Sequence, residues 1–94
     1  MIKKFADKET EKIFRGHFSR KLAHDMQPVA LKRLFQLDAA TALADLAALP
    51  GLRLERLKGT RKSQHSIRIN QQWRVCFAWG KDGHASAVEI TDYH

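Results

Sequence analysis

At Pro50-Gly51 the chain changes its hydrophobic period, and that change decides which elements can form on either side. Before it, apolar residues recur at helical spacing; after it, they alternate with polar ones, as strands with one buried face require. On the N-terminal side, Ile2 to Phe5 is expected as a short first strand. Asp7 then suits the N-cap of a helix through Glu9, Glu11, Ile13 and Phe14, whose first-turn carboxylates complement the helix dipole. Gly16 ends it. His17 to Gln27 has weak periodicity and reads as a mobile connection with some helical character. Pro28 fits the first turn of a helix with Ala30, Leu31, Leu34 and Phe35 as its apolar stripe and Lys32, Arg33 and Gln36 turned outward. Thr41 is placed to cap a short helix from Ala42 to Ala48, which Pro50-Gly51 stops.

On the C-terminal side, Leu52, Leu54 and Leu57 suggest a strand that closes at Gly59. Ser66 to Ile69 puts Ile67 and Ile69 on one face and Arg68 on the other, and Asn70-Gln71-Gln72 makes a tight connection. Trp73 to Trp79 sends Trp73, Val75, Phe77 and Trp79 one way and Arg74, Cys76 and Ala78 the other. Gly80-Lys81-Asp82-Gly83 supplies a hairpin turn before the last strand, Ala85 to His94. Strands joined by short turns make an antiparallel meander, and the helical segments must cover its apolar face, so the expected class is α+β. Residues 1–94 are expected to form one domain, without repeat, low-complexity tract or linker.

With 44% hydrophobic and 29% charged residues the composition is that of a soluble globular protein. No apolar run approaches the roughly 20 residues needed to cross a bilayer. The opening Met1-Ile2-Lys3-Lys4-Phe5-Ala6-Asp7 does not read as a signal peptide, and a cytoplasmic protein is expected. The one cysteine, Cys76, has no internal disulfide partner and lies in an apolar run, as a buried thiol does. A net charge of +7 points to a polyanionic partner, and residues 51–81 carry eight basic groups against Glu55 alone.

Strand parity places Arg68, Arg74 and Tyr93 on one sheet face, with Lys58 and the loop from Lys62 to His65 able to reach it. Such a face has the parts for metal-free RNA cleavage: fixed cations for the charge building on phosphate, and groups that move protons between the 2′-hydroxyl and the leaving oxygen. Arg offers bidentate phosphate contacts, Lys a point charge, and His or a perturbed Tyr a proton. Each residue alone would be an ordinary surface group. The chain closes on Asp92-Tyr93-His94, and two proton-handling residues where chain ends usually fray are expected to be functional. The five histidines show no metal-ligand spacing, and no glycine pattern follows a strand and opens a helix, so neither metal nor nucleotide cofactor is expected.

At Leu57-Lys58-Gly59, Gln64-His65-Ser66-Ile67-Arg68-Ile69-Asn70, Gln72-Trp73-Arg74-Val75 and Asp92-Tyr93-His94, the chain resembles the HigB-type toxins of the RelE/ParE superfamily. The likeness extends to Ile2-Lys3-Lys4-Phe5 and Leu37-Asp38-Ala39-Ala40-Thr41. The resemblance implies a RelE-like fold and a bacterial toxin that enters the ribosomal A site and cuts mRNA. It also implies a helix-turn-helix, HigA-like antitoxin through which operator DNA is bound. Carried onto this chain, it makes Lys58, Arg74, Asp92, Tyr93 and His94 catalytic: Lys58 and Arg74 hold the phosphate, Tyr93 and His94 handle protons, and Asp92 orients its neighbours. Arg61, Lys62, His65 and Arg68 are expected to contact RNA. Glu55 stands where some relatives carry a histidine three residues before the lysine; it can act as base or pair with Arg53 or Arg56, and the swap leaves the base open. Two alternatives stay beside the nuclease: a ParE-like gyrase inhibitor that only binds, and a catalytically weak toxin acting chiefly with its antitoxin on transcription.

Overall fold

A computed structural model describes residues 1–92. Three helices, α1 (Lys8–Phe14), α2 (Gln27–Ala39) and α3 (Leu43–Ala47), precede strands β1 (Glu55–Arg56), β2 (Gln64–Arg68), β3 (Trp73–Trp79) and β4 (Ala85–Asp92). The strands pair antiparallel in the order β1-β2-β3-β4. This is the expected α+β arrangement, consistent with a RelE-like fold.

The helices bury one face of the sheet. Ile67, Val75 and Ile90 are successive cross-strand partners, and they pack with Phe77 and Val88 against Ile13, Leu34 and Leu37. Asp7 caps α1, its carboxylate accepting from the Thr10 N–H at 2.7 Å and the Thr10 hydroxyl at 3.0 Å. Gly16, at φ +85°, supplies the left-handed turn that ends the helix region.

Several local expectations need correction. Ile2 to Phe5 is not a regular strand; it runs parallel to β4 through bridges at Ile2–Ala85 and Phe5–Val88, so the N-terminal segment covers the outer edge of β4. The segment from His17 to Met26 is tied down and not helical: Ser19 is buried, its N–H donates to Gln27 Oε1 at 3.0 Å, and its hydroxyl donates to Glu9 at 2.6 Å. In α2 the buried stripe is Ala30, Leu34 and Leu37, at the i, i+4, i+7 spacing of a single face, which leaves Phe35 53% exposed. Arg33 does not face out but reaches the sheet, where Nε donates to the Arg68 carbonyl at 2.8 Å. The α3 N-terminus is held by Asp45, which accepts from the Thr41 N–H at 2.9 Å, the Ala42 N–H and the Thr41 hydroxyl. The first strand of the sheet keeps only Glu55 and Arg56, because Pro50–Leu52 forms a 3-10 turn and Arg53 adopts φ +46°.

In β4, Ala87 takes φ +51° and the register with β3 shifts between Cys76 and Ala78. The extra residue is a bulge, and it lets Ala85 and Val88, three apart, both enter the core. Beyond the N-terminal segment, the edge of β4 is satisfied by a side chain: the buried Ile90 N–H donates to Thr10 Oγ1 at 2.9 Å. Thr10→Val should therefore destabilise the protein by about 1–3 kcal/mol by orphaning that amide, and Thr10→Ser should restore most of the loss. Urea unfolding of the two variants checks this; equal stability of Thr10→Val and wild type would contradict it.

Candidate functional site

The sheet face turned away from the helices is polar, and strand register arranges it in rows. Glu55, Ser66, Cys76 and Glu89 form one row through successive pairings, and Arg68, Arg74 and Thr91 form the next. Two arginines directly opposite one another repel, so the pair is disfavoured unless an anion meets it. Arg74 turns toward the neighbouring row, donating from Nη1 to Ser66 Oγ at 3.2 Å, with Nη2 4.0 Å from Glu55 Oε2. Its side chain is 21% exposed, whereas that of Glu55 is 54% exposed. A partly shielded guanidinium beside an accessible carboxylate is thus set into the open face.

The loop between β1 and β2 folds along this face. Gly59, at φ +68°, makes its turn, and the 3-10 segment Gly59–Arg61 follows. Arg61 donates to Gln64 Oε1 and to Glu89 Oε1, each at 2.9 Å. Cys76 is fully buried in the same row as Glu89; burial pushes its thiol pKa up, Arg61 and Arg74 oppose the rise and Glu89 adds to it. A thiol held protonated in this way is a poor nucleophile. Lys58 is exposed, and with Arg56, Leu57, Gly59, Lys62 and Ser63 it lines an open cleft of ≈ 640 Å³.

The residues singled out by sequence thus fall into three places. Glu55, Arg68 and Arg74 share the polar face. Lys58 and Lys62 share the adjoining cleft, while Arg61 bridges from the loop to β4. His65 and Asp92 stand elsewhere. His65 is in β2, not in the loop, and is the cross-strand partner of Arg56 and Phe77, so it projects from the helix-covered face and stacks on Phe77 at 6.1 Å. Asp92 is the partner of Trp73, on the parity of the core residues Val88 and Ile90, and accepts from Gln72 Nε2 at 2.9 Å. Tyr93 and His94 lie outside the described residues. Sequence reasoning did not single out Ser66, Gln64 or Glu89 as parts of the site; Glu89 shares the parity of Thr91 in β4, but only the loop's path shows that Arg61 meets it. Among the described residues no group of three or more His, Cys, Asp or Glu side chains could hold a metal ion.

A family model described as "RelE-like toxin of type II toxin-antitoxin system HigB" matches residues 3–94. The chain belongs to this family. Among its relatives, Toxin HigB-1 of Vibrio cholerae serotype O1 is 36% identical over 80 residues, which is 84% of this chain and 84% of that toxin. A HigB-like toxin of a type II system has an antitoxin as its partner. Among the described residues of this toxin no helix is long and apolar enough to cross a membrane.

His65 gives the toxin a pH dependence of known sign. Burial, and then the charge of Arg56, hold its pKa below the ordinary value of 6.5. In the window between that lowered value and 6.5, the unfolded chain binds a proton that the folded chain does not. Stability from this group is therefore full above 6.5 and is lost as pH falls through 6.5 toward the folded value. The urea midpoint should be lower at about pH 5.5 than at about pH 7.5, and His65→Phe should shrink the difference. An unchanged difference in the variant would show that other groups carry it.

Proposed function

We propose that this toxin is a ribosome-dependent endoribonuclease that cuts mRNA in the cytoplasm by attack of a 2′-hydroxyl on the adjacent phosphorus, without a metal ion. The observation that carries this reading is the Arg68–Arg74 pair, flanked by Ser66 and Glu55 in the next row of an open sheet face. In the reaction the 2′-hydroxyl loses its proton, the new O2′–P bond forms, and the P–O5′ bond breaks as O5′ gains a proton. The products are a 2′,3′-cyclic phosphate and a 5′-hydroxyl. Arg74 meets the phosphate oxygens with its planar donors, Arg68 supplies a second fixed charge, and Lys58 adds a point charge from the cleft. Tyr93 and His94, which follow β4 in sequence, carry the protons, and Asp92 orients them. Glu55, 4.0 Å from Arg74, is the carboxylate available as base. Lys62 extends the RNA track along the cleft, and His65 takes no part in the chemistry. The antitoxin is of the helix-turn-helix, HigA-like kind, and operator DNA is bound through it.

The fold alone does not separate this reading from a ParE-like inhibitor that binds gyrase; the polar face favours phosphate chemistry. The test is the mapping of mRNA 5′ ends after brief expression. Wild type should produce new ends within translated messages. Arg74→Ala should lower the cleavage rate on the order of 10²- to 10³-fold, the scale for loss of one donor to a developing oxyanion. Growth arrest by wild type without any new mRNA ends would overturn the proposal.

A further inference from the structure

The loop that carries Lys58 is anchored at its start, where Leu57 is 2% exposed and donates its N–H to the Gln64 carbonyl at 2.9 Å, and is loosely closed beyond that point. It leaves β1 after only two paired residues, both exposed and both at the edge of the sheet. Its own turn is closed by long contacts, Arg61 N–H to the Lys58 carbonyl at 3.4 Å and Lys62 N–H to the Gly59 carbonyl at 3.2 Å. Backbone pairing therefore anchors the loop as far as Leu57 and holds the turn from Lys58 to Lys62 only loosely. Among the described residues, the Arg61 side chain crosses from this loop to the far side of the sheet. Arg61 reaches along the row of Ser66 and Cys76 to Glu89 on β4, at 2.9 Å, a span of two strand spacings, about 10 Å. Gln64 accepts from the other terminal nitrogen and so fixes the plane of the guanidinium. Arg61 and Glu89 are 30% and 32% exposed, more shielded than a surface ion pair whose contribution solvent largely cancels.

We propose that Glu89 and Arg61 act as a latch, a pair of positioning residues that holds the β1–β2 loop against the sheet and thereby sets the place of Lys58 beside Arg74. Arg61 then serves the loop and not the RNA, and the RNA contacts of this segment fall to exposed Lys58 and Lys62. The effect on cleavage rests on the nuclease reading above; the effect on the loop does not. Loss of the latch frees the loop without opening the sheet, because β2, β3 and β4 keep their backbone ladders and their core.

The experiment compares wild type, Glu89→Ala and Glu89→Gln by two readouts. Backbone ¹⁵N order parameters report the loop directly. In Glu89→Ala those of Gly59 to Lys62 should fall from near 0.85 to below about 0.6, with β2 to β4 unchanged. Single-turnover cleavage on programmed ribosomes reports the consequence: the rate constant should drop about tenfold while the half-saturating ribosome concentration moves less than about twofold, as expected for misplacement of a catalytic group. Glu89→Gln keeps an acceptor for Arg61 and should recover most of both losses. Unchanged order parameters in Glu89→Ala would overturn the proposal, and so would disorder spread equally through β2 to β4 in both variants. A loss confined to half-saturation would also overturn it, since Arg61 would then be acting as an RNA contact. Absence of cleavage by wild type would sink the nuclease reading, while the order parameters would still decide the latch.

Discussion

The packing of one apolar row, Ile67, Val75 and Ile90, beneath the helices sets the rest of the structure. These residues are cross-strand partners and almost wholly buried, so they lock β2, β3 and β4 in a single register. A slip of one residue would turn the whole apolar set to solvent and bring the arginines inward. The same register aligns Arg68 with Arg74 and Ser66 with Cys76 and Glu89 on the opposite face. Hydrophobic burial on one side thus places two like charges in opposition on the other. Arg74 turns from that opposition toward Ser66 and Glu55, the latter at 4.0 Å, so one of the two charges already has a carboxylate beside it.

Position along the strands matters as much as face. The outer edge of β4 is covered first by the parallel N-terminal segment and then by the Thr10 hydroxyl, so its backbone is satisfied as far as Ile90. The bulge at Ala87 takes up the extra residue upstream and leaves the stretch from Val88 to Asp92 in regular alternation. Glu89 and Thr91 therefore reach the polar face while Val88 and Ile90 remain in the core. The electrostatics follow from this layout. Arg74 has Ser66 and Glu55 for company, Arg61 has Gln64 and Glu89, and the buried thiol of Cys76 lies in the row between the two groups.

Much of this was legible in the chain because the signals are local. The change of period at Pro50-Gly51, the Asp7 cap and the two-residue alternation through β3 each depend on neighbours in sequence, and each appears in the structure. The pairing of Arg68 with Arg74 follows from alternation once the hairpin is assumed. What was not legible depends on contacts between distant segments. Phe35 and Arg33 exchange their expected environments because the angle at which α2 meets the sheet selects the buried stripe, and helical period alone leaves that angle free. His65 sits in sequence beside a basic loop, but β2 begins at Gln64, and parity then sends the ring to the other face. The Arg61–Glu89 pair joins residues 28 apart, and no spacing rule announces it. The parallel course of the N-terminus along β4 was hidden for the same reason.

The proposed chemistry at the polar face is attack by a 2′-hydroxyl on phosphorus. It is tested most directly on purified ribosomes programmed with a short mRNA of defined sequence, first to locate the cut and then with a single 2′-deoxy residue at that position. The all-ribose message should yield a 2′,3′-cyclic phosphate and a 5′-hydroxyl, and the deoxy-substituted message should stay intact at that site. Cleavage of the deoxy-substituted message at an undiminished rate would contradict it.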